Sequence, residues 1–595
     1  MRNSRNQVPV EQTWNVEDLF SNREQWEEEL HRLREDIKLV TQYKGKLGEN
    51  AQTLLSAIKA FEEIQIRLET VGTYAFLNRS TDGSNPENQA DSAKFATINA
   101  EIAAELSFFE SELLTIPEET IIQFLEENKQ LRVYEKVLQD VLEKKPYTLN
   151  PEIEKVLAAL NEVHDAPFMI YETSKAADME FEPIIDEDGN ELPMSEALYE
   201  DRYEMEANTT VRRNAYESFI NTLNRYKNTY AATYATEVKR QVTLAKLRGF
   251  KSVTDMLLLP QQVTNEMYEN QLNIIQEELA PHMRKLAKLK EKEYRLDKIR
   301  FCDLKAPLDP TYDPETTFSE AKEMIIEALS VLGSDYRAIM EQAFEDGWID
   351  YADNIGKQSG AFCASPYRAH PYILMTWTNK LRGAFTLAHE LGHAGHFYLA
   401  NKNQTFLNTE PSTYFVEAPS TLNELLLADY LLEKASDKRM KRWIISALLD
   451  TYYHNFITHL LEGEFQRRVY RLAEEGTPLT ADVLCREKFE TIKNFWGDAV
   501  EIDEGAGLTW MRQPHYYMGL YPYTYSAGLT VATAVAAKIK AEGESAVNKW
   551  LEVLKAGGTL KPLELIQKAG VDMTNPDTIR QAVAYVGTLV KKLEK

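Results

Sequence analysis

Apolar residues recur at spacings of three and four along most of this chain, and that period is the strongest constraint on what it can fold into. Trp26, Leu30, Leu33, Ile37 and Val40 keep to it within residues 24–40, laying one apolar stripe along a helix and leaving the other face charged. Ser21 with Glu24 predicts a capping box at its start. The pattern returns at about 52–80, 88–114, 118–129, 131–143 and 150–162, broken by turn formers such as Asp82-Gly83-Ser84-Asn85-Pro86. The expected fold is mainly α. At 595 residues the chain is too long for one core. Near 180–195 the helical period gives way to FEPIIDEDGNELPMSE, where Asp188-Gly189 predicts a small hairpin. That break divides an N-terminal helical region, 1–195, from a larger region, 196–595, interrupted by an irregular connection at 300–317.

A second departure from the period lies at 358–378, QSGAFCASPYRAHPYILMTWT. Ile373 to Trp377 reads as an extended segment bounded by Pro371 and Asn379. It is expected to be the edge strand of a small sheet, and a free edge can bind a peptide as an added strand.

Charge and composition narrow the function. A net charge of −26 argues against nucleic acid or an anionic membrane as the main partner. No apolar run reaches the roughly 18–20 residues of a membrane span, and the opening MRNSRNQVPVEQTWNVEDL has no apolar export signal. The three cysteines, Cys302, Cys363 and Cys485, are far apart and odd in number, as expected of reduced thiols. A cytoplasmic location follows.

The chemistry concentrates in LRGAFTLAHELGHAGHFYLA, residues 381–400. His389 and His393 are four apart, so both imidazoles leave one helical face and can grip one zinc ion. Glu390 stands beside them, where its carboxylate can take a proton from a water whose pKa zinc lowers to about 7. Gly392 and Gly395 each cost a helix roughly 1 kcal/mol against alanine, which predicts a close packing partner, with the strand as candidate. A catalytic zinc wants a third protein ligand and an open position. His396 and Glu417 compete for that role. His396 lies a turn beyond the pair on the same helix, where three ligands converge poorly on a tetrahedral ion. Glu417 opens a second apolar helix, TYFVEAPSTLNELLLADYLLE. Glu424, seven residues on, shares its face and is a candidate to hold a ligand imidazole by its other nitrogen.

HELGHAGH, followed 24 residues after its second ligand histidine by the glutamate of FVEAPS, resembles the thimet oligopeptidase family of zinc metallopeptidases. GAFTLAHELGHAGHFYLANKNQ and WNVEDLFSNREQWEEEL resemble its bacterial oligoendopeptidase F branch, and the similarity runs through the whole chain. The resemblance implies a two-lobed, almost wholly helical fold around a deep central channel, with one zinc per chain on its floor. It implies endopeptidic cleavage of short peptides and Glu417 as third ligand, which leaves His396 as a residue that lines the pocket or supports the ligands.

One further constellation is EGAGLTWMRQPHYYMGLYPYTYSAG, residues 504–528, opening on the flexible pair Gly505 and Gly507. Tyrosine hydroxyl and protonated histidine are suited to an oxygen that gains charge during peptide hydrolysis. Tyr516 and Tyr517 read as core packing. For His515, Tyr521, Tyr523 and Tyr525 the resemblance implies a place facing the zinc. His454 and His459, in YYHNFITHL, read as ordinary packed or surface histidines. Two other readings fit the motif less well: a zinc carboxypeptidase or dipeptidase, and a helical peptide-binding protein without catalysis.

Overall fold

The computed structural model describes residues 3–594, and helices dominate it. Several begin at a side-chain cap. Asn22 caps the helix Arg23–Asp36 by accepting from Gln25 N, so the cap falls one residue after the expected Ser21. Asn50 caps Ala51–Thr81, and Asn85 with Pro86 starts Pro86–Leu106. The segment read as 88–114 is two helices, broken at Ser107. The segment 131–143 opens as a 3-10 turn, Leu131–Tyr134, before the helix Glu135–Lys144.

Apolar packing forms two main cores. One joins Trp26, Leu54, Ile102, Phe124 and Leu138, and the other runs from Tyr171 to Leu593. The cores therefore part between Leu138 and Tyr171, ahead of the composition break at 195. Tyr171 and Ile184 belong to the larger body.

The expected hairpin is present as β1 (Ile184–Ile185) and β2 (Glu191–Leu192), with Gly189 in the left-handed region at φ 84°. A three-stranded sheet joins β3 (Ile349–Asp350), β4 (Phe362–Ala364) and β5 (Tyr372–Leu374) in the order β3-β5-β4. The segment expected at an edge, β5, is thus the central strand, parallel to β3 and antiparallel to β4. Its burial on both faces explains the unbroken apolar run Tyr372-Ile373-Leu374. The N-terminal segment covers the outside of β3: Tyr351 N donates to Gln12 O at 3.1 Å, Asn15 N donates to Gly347 O at 2.8 Å, and Arg5 pairs with Asp350. β4 is left as the edge strand.

The helix Ala51–Thr81 lies against the loops that flank this sheet. Its Glu69 accepts from Tyr367 N at 2.8 Å and its Glu62 from Leu407 N at 3.2 Å, while Glu63 pairs with Arg368 at 3.0 Å. Burial pushes the Glu69 carboxyl up to about 7. Among the described residues no helix is long and apolar enough to cross a membrane, and all three cysteines are free thiols.

Candidate active site

Three helices build the site: the HExxH helix Leu381–Asn403, the crossing helix Glu417–Lys434, and the tyrosine helix Pro522–Glu542. Glycines let them approach at backbone distance. A Cβ on Gly392 would lie 2.5 Å from Pro419 O and Ser420 Cα, so the crossing helix fills that gap, not the strand expected from sequence. The partner of Gly395 is the Tyr336 ring, 2.6–2.8 Å from such a Cβ. On the other side of the crossing helix, a Cβ on Gly528 would stand 2.7 Å from Glu417 Cβ. Glu417 is held between two helices that cannot back away from it without losing this packing.

That packing brings three donor atoms together. His389, His393 and Glu417 form one group whose ligand atoms all lie within 4.8 Å of one another. Glu417 Oε2 is 3.4 Å from His389 Nε2 and 3.4 Å from His393 Nε2. Ser420 Oγ donates to the same oxygen at 3.0 Å. Burial alone would raise the Glu417 carboxyl, but the two imidazoles beside it outweigh burial and hold it well below the usual range. Among the described residues no other group of this kind occurs.

A second layer fixes His389, while the buried Nδ1 of His393 has no hydrogen-bond partner. His389 Nδ1 meets Glu424 Oε1 at 2.7 Å, and Thr451 Oγ1 donates to Glu424 Oε2 at 2.6 Å. A proton on Nδ1 leaves Nε2 with its lone pair toward the cluster. Glu424 thus does what its spacing from Glu417 predicts; Thr451 has no signal in the sequence. His396 stands apart, fully buried beside Phe397 and Phe415, with neither ring nitrogen bonded. Burial brings its pKa down to about 3, so the ring is a neutral packing element.

Glu390 is 6 % exposed and has its carboxyl raised above the usual range by burial, against the opposing pull of His389 and His393. β4 packs against the helix Leu381–Asn403 that carries Glu390.

The residues from 504–528 separate into two sets. His515, Tyr521 and Tyr525 are partly exposed and gather in one ring cluster, with His515 stacked on Tyr521 at 5.3 Å and Tyr521 against Tyr525 at 5.4 Å. Burial, with the nearby Glu417 charge, raises both phenols above their ordinary range. Tyr523 is buried, donates to Gln261 Oε1 at 2.6 Å and packs on Tyr268 and Tyr414. It faces the core and not the cluster. Burial lowers the His515 pKa, and Nδ1 sits 3.0 Å from Gln513 Oε1. The lowered pKa favours a neutral ring over the protonated donor expected from sequence.

His454 and His459, set aside in the sequence, enter the same cluster. His459 stacks on Tyr525 at 4.1 Å and meets His454 Nε2 to Nε2 at 3.1 Å. The 504–512 stretch, read as a flexible loop around Gly505 and Gly507, is 3-10 helical. Gly507 lies where a Cβ would come 2.5 Å from Cys485 O.

Known proteins resemble this chain in sequence and in fold. Residues 203–585 match the model of peptidase family M3, and residues 112–181 match that of oligopeptidase F. The chain is 32 % identical to oligopeptidase PepF of Bacillus subtilis over 99 % of its own length and 88 % of the relative's. It is 29 % identical to the group B oligopeptidase PepB of Streptococcus agalactiae, over 100 % of this chain and 98 % of that one. The crystal structure of oligoendopeptidase-F from Enterococcus faecium superposes with a TM-score of 0.76 at 26 % identity, covering 96 % of this chain and 98 % of that one. With the HExxH helix inside the matched region, the chain belongs to peptidase family M3 and is a metallo-endopeptidase of its oligoendopeptidase F branch.

Proposed function

We propose that the protein is a cytoplasmic, zinc-dependent endopeptidase that cuts internal bonds of short oligopeptides, with Glu390 as general base. The observation that carries this reading is the convergence of two imidazole nitrogens and one carboxylate oxygen beside a buried glutamate. The donor set suits zinc. Ligands bound at 2.0–2.1 Å in a tetrahedron stand about 3.3–3.4 Å apart, and Glu417 Oε2 is 3.4 Å from each imidazole. His389, His393 and Glu417 would hold the ion, one per chain. When bound there, zinc supplies Lewis acidity toward water and the scissile carbonyl.

The chain's own groups do the rest. Glu390, its proton affinity raised by burial, takes a proton from the attacking water and returns it to the departing amine. Tyr525 and Tyr521 supply hydroxyl donors to the carbonyl oxygen as its charge grows. His515, neutral, stacks on Tyr521 and offers a ring nitrogen to the substrate backbone. The outer edge of β4 pairs with the extended peptide and holds it across Glu390.

Peptides of about 5–20 residues, roughly 17–70 Å when extended, fit a site walled by long helices. Folded domains do not, since they resist unfolding by roughly 5–15 kcal/mol. The experiment incubates the enzyme, with and without a chelator, with a peptide ladder and with a denatured protein, and follows both by mass spectrometry. Chelator-sensitive internal cleavage confined to the short peptides is expected. Turnover that survives metal removal, or rapid internal cutting of the long chain, defeats the reading.

A further inference from the structure

His454 and His459 are five residues apart. In a regular α-helix that spacing turns them about 140° away from each other. Here the segment His454–Thr458 is a π-helical turn between the helices Lys438–Tyr453 and His459–Glu474. The wider turn brings the rings together, 4.5 Å between centroids at 89°, with Nε2 facing Nε2 at 3.1 Å. Such turns are rare and recur at functional sites.

His459 is the hub of the cluster. One face lies flat on Tyr525, 4.1 Å away at 16°; the His515 ring meets it at 5.5 Å and 81°. The residue is 4 % exposed and its Nδ1 is buried with no partner. Burial and its neighbours hold both imidazoles below the ordinary range, so a single N–H···N bond joins two neutral rings. An apolar side chain would fill this volume without burying an unpaired nitrogen, which costs stability. Core packing therefore does not account for a histidine here.

We propose that His459 is a positioning residue: its ring, stacked on Tyr525, sets the angle at which Tyr525 faces the His389–His393–Glu417 group. The inference rests on the reading of Tyr525 as a donor to the developing oxyanion. An aromatic ring a fraction of an ångström out of place would no longer deliver its hydroxyl where charge appears, and misplacements of about 1 Å can cost 10²-fold in rate.

The test uses full-length, zinc-loaded enzyme and a quenched peptide. His459→Leu should keep one zinc per chain and lower kcat roughly 10–100-fold with KM within about twofold. His459→Phe, which keeps the stack on Tyr525, should recover most of that loss. In a Tyr525→Phe background, His459→Leu should have little further effect on kcat, since both changes then act through the same missing hydroxyl. Full kcat in His459→Leu, beside a crippled Tyr525→Phe, overturns the proposal alone. So does an undiminished effect of His459→Leu in the Tyr525→Phe background. Full kcat in Tyr525→Phe overturns the role of Tyr525 on which the proposal stands.

Discussion

The two walls of the site are fastened by different means. On the metal side, helices touch at backbone distance through Gly392 and Gly528, and Glu417 is wedged between them. On the tyrosine side, rings rest on rings at 4.1–5.8 Å, and the glycine contact behind them is looser: a Cβ on Gly463 would stand 3.2 Å from Tyr523 Cβ and 3.5 Å from Tyr523 N. A metal ion held there would tolerate errors of only a few tenths of an ångström in its ligands, and that wall is built from close backbone contacts that yield little. Donors to a substrate must meet a partner that arrives, and stacked rings can adjust. Rigidity falls where a bound ion would demand it.

The sharpest way to break this comparison is on the metal wall. Glu390→Gln should keep zinc and lose kcat by roughly 10²–10⁴-fold, the usual worth of a general base. Near-normal turnover in that variant would remove Glu390 from the mechanism. Next in size is ligand identity: Glu417→Ala should emerge from dialysis without zinc, and His396→Ala with about one ion per chain. The reverse pattern in metal analysis would move the third ligand onto the HExxH helix. Gly528→Ala sharpens the comparison further, because the added methyl must displace Glu417. We expect zinc affinity to fall 10–100-fold, the range typical of disturbed ligand support, with the helical circular dichroism unchanged. Unaltered affinity would show the metal wall to be as yielding as the other.

The smallest effect concerns how the tyrosine wall is anchored. Arg512, three residues before His515, pairs with Glu204 at 2.7 Å, and Lys305 pairs with the same carboxylate at 2.6 Å. Burial would raise Glu204, but these two cations outweigh it and bring its pKa down to about 2 from 4.5. A depressed carboxyl adds stability above its unfolded pKa, so this contribution is complete above pH 4.5 and fades as pH falls toward 2. Glu204→Gln should cost about 3 kcal/mol near neutrality. Thermal melts of variant and parent should then converge as pH drops through that window. A gap that stays constant down to pH 2 would mean the pair does not titrate as described.

What could be read from the sequence was whatever helical spacing alone decides. His389 and His393 share a face because they are four apart, and Glu424 shares one with Glu417 because it is seven on. The same rule, applied two residues at a time, separates Tyr523 from Tyr521 and Tyr525. In a helix from Pro522 it turns about 200° from each, into the core beside Gln261. That was not visible without the helix boundary. His459 was illegible for a different reason. Its partnership with His454 depends on a π-turn, and a histidine in an apolar run looks the same whether it is packed or poised. The partner of Gly392 and the central place of β5 depend on which elements become neighbours, which periodicity does not encode.

The N-terminal segment that covers β3 also dictates an order of assembly. Arg5 and Asp350, partners in the finished sheet, are 345 positions apart in the chain. At about 5–20 residues per second, a ribosome needs roughly 20–70 s to make the second after the first. The helical core from Trp26 to Leu138 contains its own contacts and is free to form meanwhile. The opening residues must wait, unpaired, for a strand that emerges past the middle of the protein. A tag or truncation at that end should therefore slow completion of the sheet beside the base while leaving the neighbouring helical core able to fold on schedule.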